Sequence, residues 1–141
     1  MMPSVTRVCL LGSTGSIGTS TLDVVRCRRD QFSIHSLVAG NNVDLLAQQI
    51  QEFKPKVAVV ATAEAQDRLA QLLGETNLTR SEWPELAHGA EARVQAATHP
   101  EADFVLSAIV GVAGLEATYK AVQLGKRIGL ANKEVLVASG D

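Results

Sequence analysis

The sequence predicts an α/β fold of the Rossmann-like, doubly wound kind, a mainly parallel sheet with helices on both faces. Three observations predict it. Short apolar runs alternate with longer amphipathic stretches along almost the whole chain, the pattern of strands joined by crossover helices. The first apolar run leads straight into a glycine-rich turn, "GSTGSIG" at residues 12–18, and then into a helical pattern. The chemically distinctive turns follow strands rather than helices. In an open parallel sheet that places them on the edge where ligands bind.

The elements follow in order. Residues 5–11 read as a strand and residues 16–29 as a helix. Residues 32–38 are a second strand. Asn42 caps the next helix, whose apolar stripe is Val43, Leu46, Ile50 and Phe53, spaced by three and four. Pro55 ends it. Residues 57–61 form a third strand and residues 63–73 a third helix. The polar stretch 74–89 breaks the rhythm and reads as a loop with room for a short edge strand, before a helix at 90–97. Residues 103–108 are the next strand. Residues 114–124 are a helix closed by Gly125, with Lys126 and Arg127 beyond it. A last strand spans 127–131, and 133–138 begins a further turn or helix.

Composition limits the function. The 141 residues suit one domain with a real core. At 46% apolar and 20% charged residues the chain is globular in composition. Aromatics at 4% leave little stacking surface for single-stranded nucleic acid, and a net charge of −2 without a basic stripe argues against a phosphate-backbone partner. No apolar run approaches the ~20 residues of a membrane span. The first residues resemble neither a secretory signal nor a transit peptide, so the expected compartment is the cytoplasm. Two cysteines, Cys9 in an apolar run and Cys27 near a helix end, do not make a disulfide framework. His35, His88 and His99 show no metal-ligand spacing, and no zinc site is expected.

Four turns carry chemistry. In "GSTGSIG", glycine permits a tight bend and close approach of backbone to a ligand. Ser13, Thr14 and Ser16 offer hydroxyls, and the N–H groups opening the next helix favour an anion. Gly18 lets the helix pack close to the strand. No lysine follows, as a triphosphate-binding loop requires, and no serine is centred as in a hydrolase elbow. After the second strand stands Gly40-Asn41-Asn42, with no carboxylate where NAD sites usually hold one for the ribose 2′-hydroxyl. A 2′-phosphate is therefore not repelled, although no cation stands in that turn either. "AIVGVAGL" at 108–115 is permissive backbone through Gly111 and Gly114. "ANKE" at 131–134 gathers an amide, an ammonium and a carboxylate after the last strand; as a polar helix start, Asn132 would cap and Glu134 would favour the helix dipole.

Together, "LLGSTGSIGTSTLDVVR", "LVAGNNVDLLAQQI", "AIVGVAGLEATYKAV" and "LANKEVLVASG" resemble the NADPH-binding domain of the 1-deoxy-D-xylulose 5-phosphate reductoisomerase family. The likeness runs in order through nearly the whole chain. It implies a homodimeric, metal-dependent enzyme of non-mevalonate isoprenoid synthesis. Such an enzyme rearranges 1-deoxy-D-xylulose 5-phosphate and reduces the product with NADPH to 2-C-methyl-D-erythritol 4-phosphate. By the same resemblance Thr14, Gly15, Ser16 and Ile17 cradle the NADPH pyrophosphate. Gly40, Asn41 and Asn42 meet the adenosine 2′-phosphate, Asn132 and Glu134 contact NADPH, and Lys133 contacts the sugar phosphate. Members of the family often carry Lys or Arg where this chain has Asn41, and the usual "ANKES" reads "ANKEV" here, with Val135.

The resemblance also implies that residues 1–141 are the cofactor-binding domain alone. The Mg or Mn ligands, the lid and a helical C-terminal domain lie further along the family's longer chains. No metal ligand and no catalytic residue is expected within these residues, and the stretch by itself is expected to bind cofactor without turnover. Two other readings share the fold: a dehydrogenase of the semialdehyde type, with a catalytic cysteine in a second domain, and a free-standing nucleotide-binding module.

Overall fold

The computed structural model describes residues 5–109 and 115–130. Six strands form one parallel sheet in the order β4-β3-β2-β1-β5-β6. The strands are β1 (Thr6–Leu11), β2 (Phe32–Val38), β3 (Val57–Val60), β4 (Glu85–His88), β5 (Phe104–Ser107) and β6 (Arg127–Leu130). The helices are α1 (Ser16–Cys27), α2 (Val43–Phe53), α3 (Ala63–Gly74), α4 (Gly89–Ala97) and α5 (Leu115–Gln123). The expected doubly wound sheet is present. The strand order reverses at β1, whose neighbours are β2 and β5, so a crevice opens beyond the ends of these strands.

Alternation along the strands builds two cores. Val8 and Leu10 of β1 face Leu22 and Val25 of α1, Leu46 and Ile50 of α2, and Leu69 and Leu73 of α3. Cys9 and Leu11 face the other way, onto Ala96 and Ala97 of α4 and Ala117 and Ala121 of α5. Small alanines on α4 and α5 let those helices lie close to the sheet. Burial pushes the Cys9 thiol up to about 11. Both cysteines are free, Cys9 buried and Cys27 exposed.

Several boundaries differ by a few residues from the sequence reading. The first helix ends at Cys27, two residues before Arg29, because Arg28 adopts a non-helical backbone. Gly125 closes α5 as expected, with φ +76°. Lys54 closes α2 in the left-handed region, φ +47°, and its ammonium meets Glu82 at 2.6 Å. Residues 74–89 are more ordered than a loop. A short 3-10 turn (Arg80–Glu82) carries a capping box with Thr79 and leads into the edge strand β4. Lys54 and Thr79 together hold the Glu82 carboxyl down to about 2.

Two of the three histidines meet in space, while His88 on β4 pairs with Gln66. β2 carries one extra residue opposite β1, since Val8 pairs with Ile34 and Cys9 with Ser36. That bulge sets His35 against His99, ring centroids 4.4 Å apart, with Glu101 3.6 Å from His35 Nε2. Ligand atoms of His35, His99 and Glu101 lie within 4.8 Å of one another, a grouping that linear spacing did not reveal. Its surroundings do not favour a cation. His99 Nδ1 already accepts the Glu101 N–H at 3.1 Å. Lys126 donates to the His99 carbonyl at 2.7 Å, and the Arg7 charge also bears on His35.

Candidate dinucleotide site

The glycine turn leaves β1 bound to its neighbours by backbone. Gly12 and Ser13 N–H groups both donate to the Val38 carbonyl, at 2.7 and 3.0 Å, and Ala108 N–H donates to Leu11 at 2.7 Å. Gln49 Nε2 of α2 donates to the Ser13 carbonyl at 2.9 Å. The turn is thus held from β2, β5 and α2 at once.

Its three glycines do different work. Gly12 sits at φ +89°, and a Cβ there would come within 3.0 Å of the Ala108 backbone. A Cβ on Gly18 would lie 2.0 Å from the Gly12 carbonyl oxygen, so this glycine lets α1 pack onto the turn. Gly15 has no such neighbour: its nearest contact would be 3.8 Å away. Gly15 is exposed and has an ordinary extended backbone, φ −77°. Nothing within the described chain requires glycine there, which fits a position kept bare for a ligand.

No side chain caps α1. By contrast, Asn42 Oδ1 accepts the Leu45 N–H of α2 at 3.3 Å, and Thr62 Oγ1 accepts the Ala65 N–H of α3 at 3.1 Å. The opening N–H groups of α1, over Ser16 and Ile17, are left for an anion. Thr14 and Ile17 are half-buried beside them, and Ser16 is exposed. Ser13 is a correction: it is fully buried with an unpartnered hydroxyl, so it offers nothing at the surface of the turn.

At the end of β2, Gly40 and Asn41 are exposed. Asn42 is engaged as the cap of α2, and the Asn41 carbonyl accepts the Val43 N–H at 2.9 Å. A cavity of about 310 Å³ opens here, within the range of small-molecule sites. Gly12 and Ile109 bound it on one side, Val38 to Gly40 and Val59 to Ala61 form its floor, and Gly89, Ala90 and Arg93 of α4 close it. A larger, more open hollow of about 590 Å³ lies at the opposite edge of the sheet, beside Thr6, Asp103 and Lys126, away from these turns.

Three of the four singled-out turns therefore meet in fact: those after β1 and β2 directly, and the one after β5 through Ala108 and Ile109. Gly111 and Gly114, and the whole of Asn132, Lys133, Glu134 and Val135, lie outside the described residues. The turn after β3, which is not among those four, also lines the cavity through Ala61. Sequence reasoning missed Gly89, Ala90 and Arg93. The only available signal was Gly89, the glycine that opens α4, hidden inside a stretch read as loop.

The comparisons agree with this geometry. The family model for 1-deoxy-D-xylulose 5-phosphate reductoisomerase matches residues 8–140. The chain belongs to that family. The 1-deoxy-D-xylulose 5-phosphate reductoisomerase of Solibacter usitatus is 62% identical over 133 residues, 94% of this chain and 34% of the relative. That of Ralstonia pickettii is 49% identical over 134 residues, 95% of this chain and 33% of the relative. The chain thus spans about a third of the length of the reductoisomerases it matches. Among solved structures, the Zymomonas mobilis reductoisomerase in complex with NADPH has a TM-score of 0.79 at 39% identity, covering 97% of this chain and 34% of that one. A DOX-P reductoisomerase in complex with magnesium has a TM-score of 0.83 at 36% identity, covering 97% and 33%. Membership in the reductoisomerase family decides against a semialdehyde dehydrogenase, and the buried Cys9 is unsuited to nucleophilic work in any case.

Proposed function

We propose that this chain is the NADPH-binding portion of a 1-deoxy-D-xylulose 5-phosphate reductoisomerase. The observation that carries the reading is the bare, uncapped turn at Gly15, opening beside the cavity at the end of β2. Free backbone N–H groups and a glycine without a packing role suit a pyrophosphate. The absence of a carboxylate after β2 suits a 2′-phosphorylated ribose. Thr14, Gly15, Ser16 and Ile17 hold the pyrophosphate; Gly40 and Asn41 border the adenosine ribose; Asn42 holds the start of α2 in place.

NADPH, when bound, supplies a hydride to a carbonyl. The chain's own residues bind and orient the dinucleotide, and the apolar floor of Val38, Val59 and Val60 excludes water from one side of it. Asn132 and Glu134 are proposed to contact the nicotinamide end and Lys133 the phosphate of 1-deoxy-D-xylulose 5-phosphate. The divalent metal, Mg or Mn, the remaining substrate contacts and the homodimer interface are assigned to the other two thirds of the family's length. On this reading residues 1–141 form a single cofactor domain that binds NADPH without turnover. No helix among the described residues is long and apolar enough to cross a membrane, and we place the parent enzyme in the cytoplasm with no nucleic-acid partner.

Calorimetric titration of the chain with NADPH and NADH tests the reading. NADPH is expected to bind and NADH to bind more weakly. Equal affinity for the two would remove the NADP assignment, and no heat with either would remove the cofactor-binding reading altogether.

A further inference from the structure

The turn after β2 contains no cation, yet it borders the place where a doubly wound fold meets the adenosine ribose. A 2′-phosphate there brings close to two negative charges into the cavity. Of its two asparagines, Asn42 is engaged in capping α2. The charge must be answered from another element.

Among the described residues lining the cavity, Arg93 is the one charged side chain; its other walls are glycine, alanine, valine and isoleucine. It projects from α4, on the far side from Gly40 in sequence but on the same cavity in space. Arg93 is half-buried and forms no hydrogen bond or ion pair with another described residue. Four other arginines are paired with carboxylates: Arg7 with Asp103, Arg26 and Arg29 with Glu52, and Arg68 with Asp44. Arg80 and Arg127 lie over the rings of Trp83 and Phe104, and neither they nor Arg28 line the cavity. A half-buried arginine with no carboxylate partner among the described residues is suited to receive an anion, and its planar fork matches a phosphate's oxygens. The start of α4 adds to it. Gly89 and Ala90 line the same cavity, and no side chain caps that helix.

We propose that Arg93 receives the adenosine 2′-phosphate and sets the preference for NADPH over NADH. This rests on the cofactor reading given above. It assigns the discrimination to α4, across the cavity from the β2 turn.

The test compares the chain with Arg93→Ala and Arg93→Lys by calorimetry, using NADPH, NADH, adenosine 2′,5′-bisphosphate and AMP. Arg93→Ala should weaken NADPH and the bisphosphate by roughly tenfold to a hundredfold. NADH and AMP should change less than about twofold, since neither carries the group that a charge-assisted bond would serve. Arg93→Lys keeps the charge without the fork and should fall between. Thermal melts of each variant confirm the fold. If NADPH and NADH weaken equally, Arg93 merely packs on the adenine and the proposal fails; unchanged NADPH affinity overturns it too. Should the unmodified chain bind neither dinucleotide, the cofactor reading itself has failed, an outcome distinct from either of these.

Discussion

Gln49 Nε2 donates to the Ser13 carbonyl at 2.9 Å across 36 residues of sequence, fastening α2 to the glycine turn. Gln49 is buried, and it is the one side chain from the second helix bonded to that turn among the described residues. Replacing it with leucine keeps the bulk and removes the donor. Gln49→Leu should cost about 1–3 kcal/mol, the penalty for a buried carbonyl left without its partner. It should also weaken NADPH binding by loosening the turn. Urea unfolding with parallel NADPH titration reads both; wild-type values in both would show that the bond does not brace the turn.

Gly15 and Gly18 give an opposed pair. In Gly18→Ala the new methyl would sit 2.0 Å from the Gly12 oxygen and 2.8 Å from the Ser13 backbone. Backbone cannot retreat cheaply, so a loss of about 3 kcal/mol or more is expected. At position 15 an added Cβ meets nothing closer than 3.8 Å, so Gly15→Val starts from open space. It should change stability by only about 1 kcal/mol, through a poorer N-cap residue, while abolishing NADPH binding. Thermal midpoints and titrations of the two variants check this; a Gly15→Val protein that still binds NADPH normally would contradict the assigned role of the turn.

Asn41 and Asn42 are neighbours with separate duties. Asn42→Ala removes the cap on Leu45 N–H and should cost about 1 kcal/mol. Asn41→Ala, at an exposed position, should leave the melting temperature unchanged within about 0.5 kcal/mol equivalent. Differential scanning calorimetry distinguishes them, and equal destabilisation by both would mean that the capping assignment is wrong.

The two thiols should differ sharply in reactivity. Cys27 is exposed, while Cys9 is buried with its thiol pushed up to about 11 by that burial. One equivalent of a thiol-reactive disulfide reagent should react promptly in the native chain and the second only on unfolding. Two fast equivalents would show that the core around Cys9 opens readily.

Stability should fall in mild acid because of His35. Burial, followed by the charge of His99, lowers its folded pKa below the ordinary 6.5, against the opposing pull of Glu101. The folded state then binds fewer protons than the unfolded state as pH drops through 6.5 and below. His35 therefore leaves stability intact above about pH 6.5 and erodes it progressively below that. Thermal midpoints from about pH 8 to pH 5 should decline in the acid half. His35→Val should flatten that decline, and an identical pH profile in the variant would exonerate the residue.

The glycine turn, the helix stripe Val43, Leu46, Ile50 and Phe53, the Asn42 cap and the Gly125 stop were all legible in the linear chain. Each depends on residues within a turn or two of one another, where backbone freedom, side-chain period and capping chemistry act locally. Strand β4 was harder to read. Its four residues are half-buried or exposed, so an edge strand shows no apolar run and draws its order from pairing with β3. The sheet order, with β1 between β2 and β5, was equally beyond local reading. That order brings Gly12 against Ala108, Gln49 against Ser13, His35 against His99, and Arg93 to the cavity ending β2. Local chemistry thus wrote the anion-binding turn into the primary structure. The packing of distant elements on one sheet decided which cation stands near it, because only strand pairing and core burial join residues so far apart along the chain.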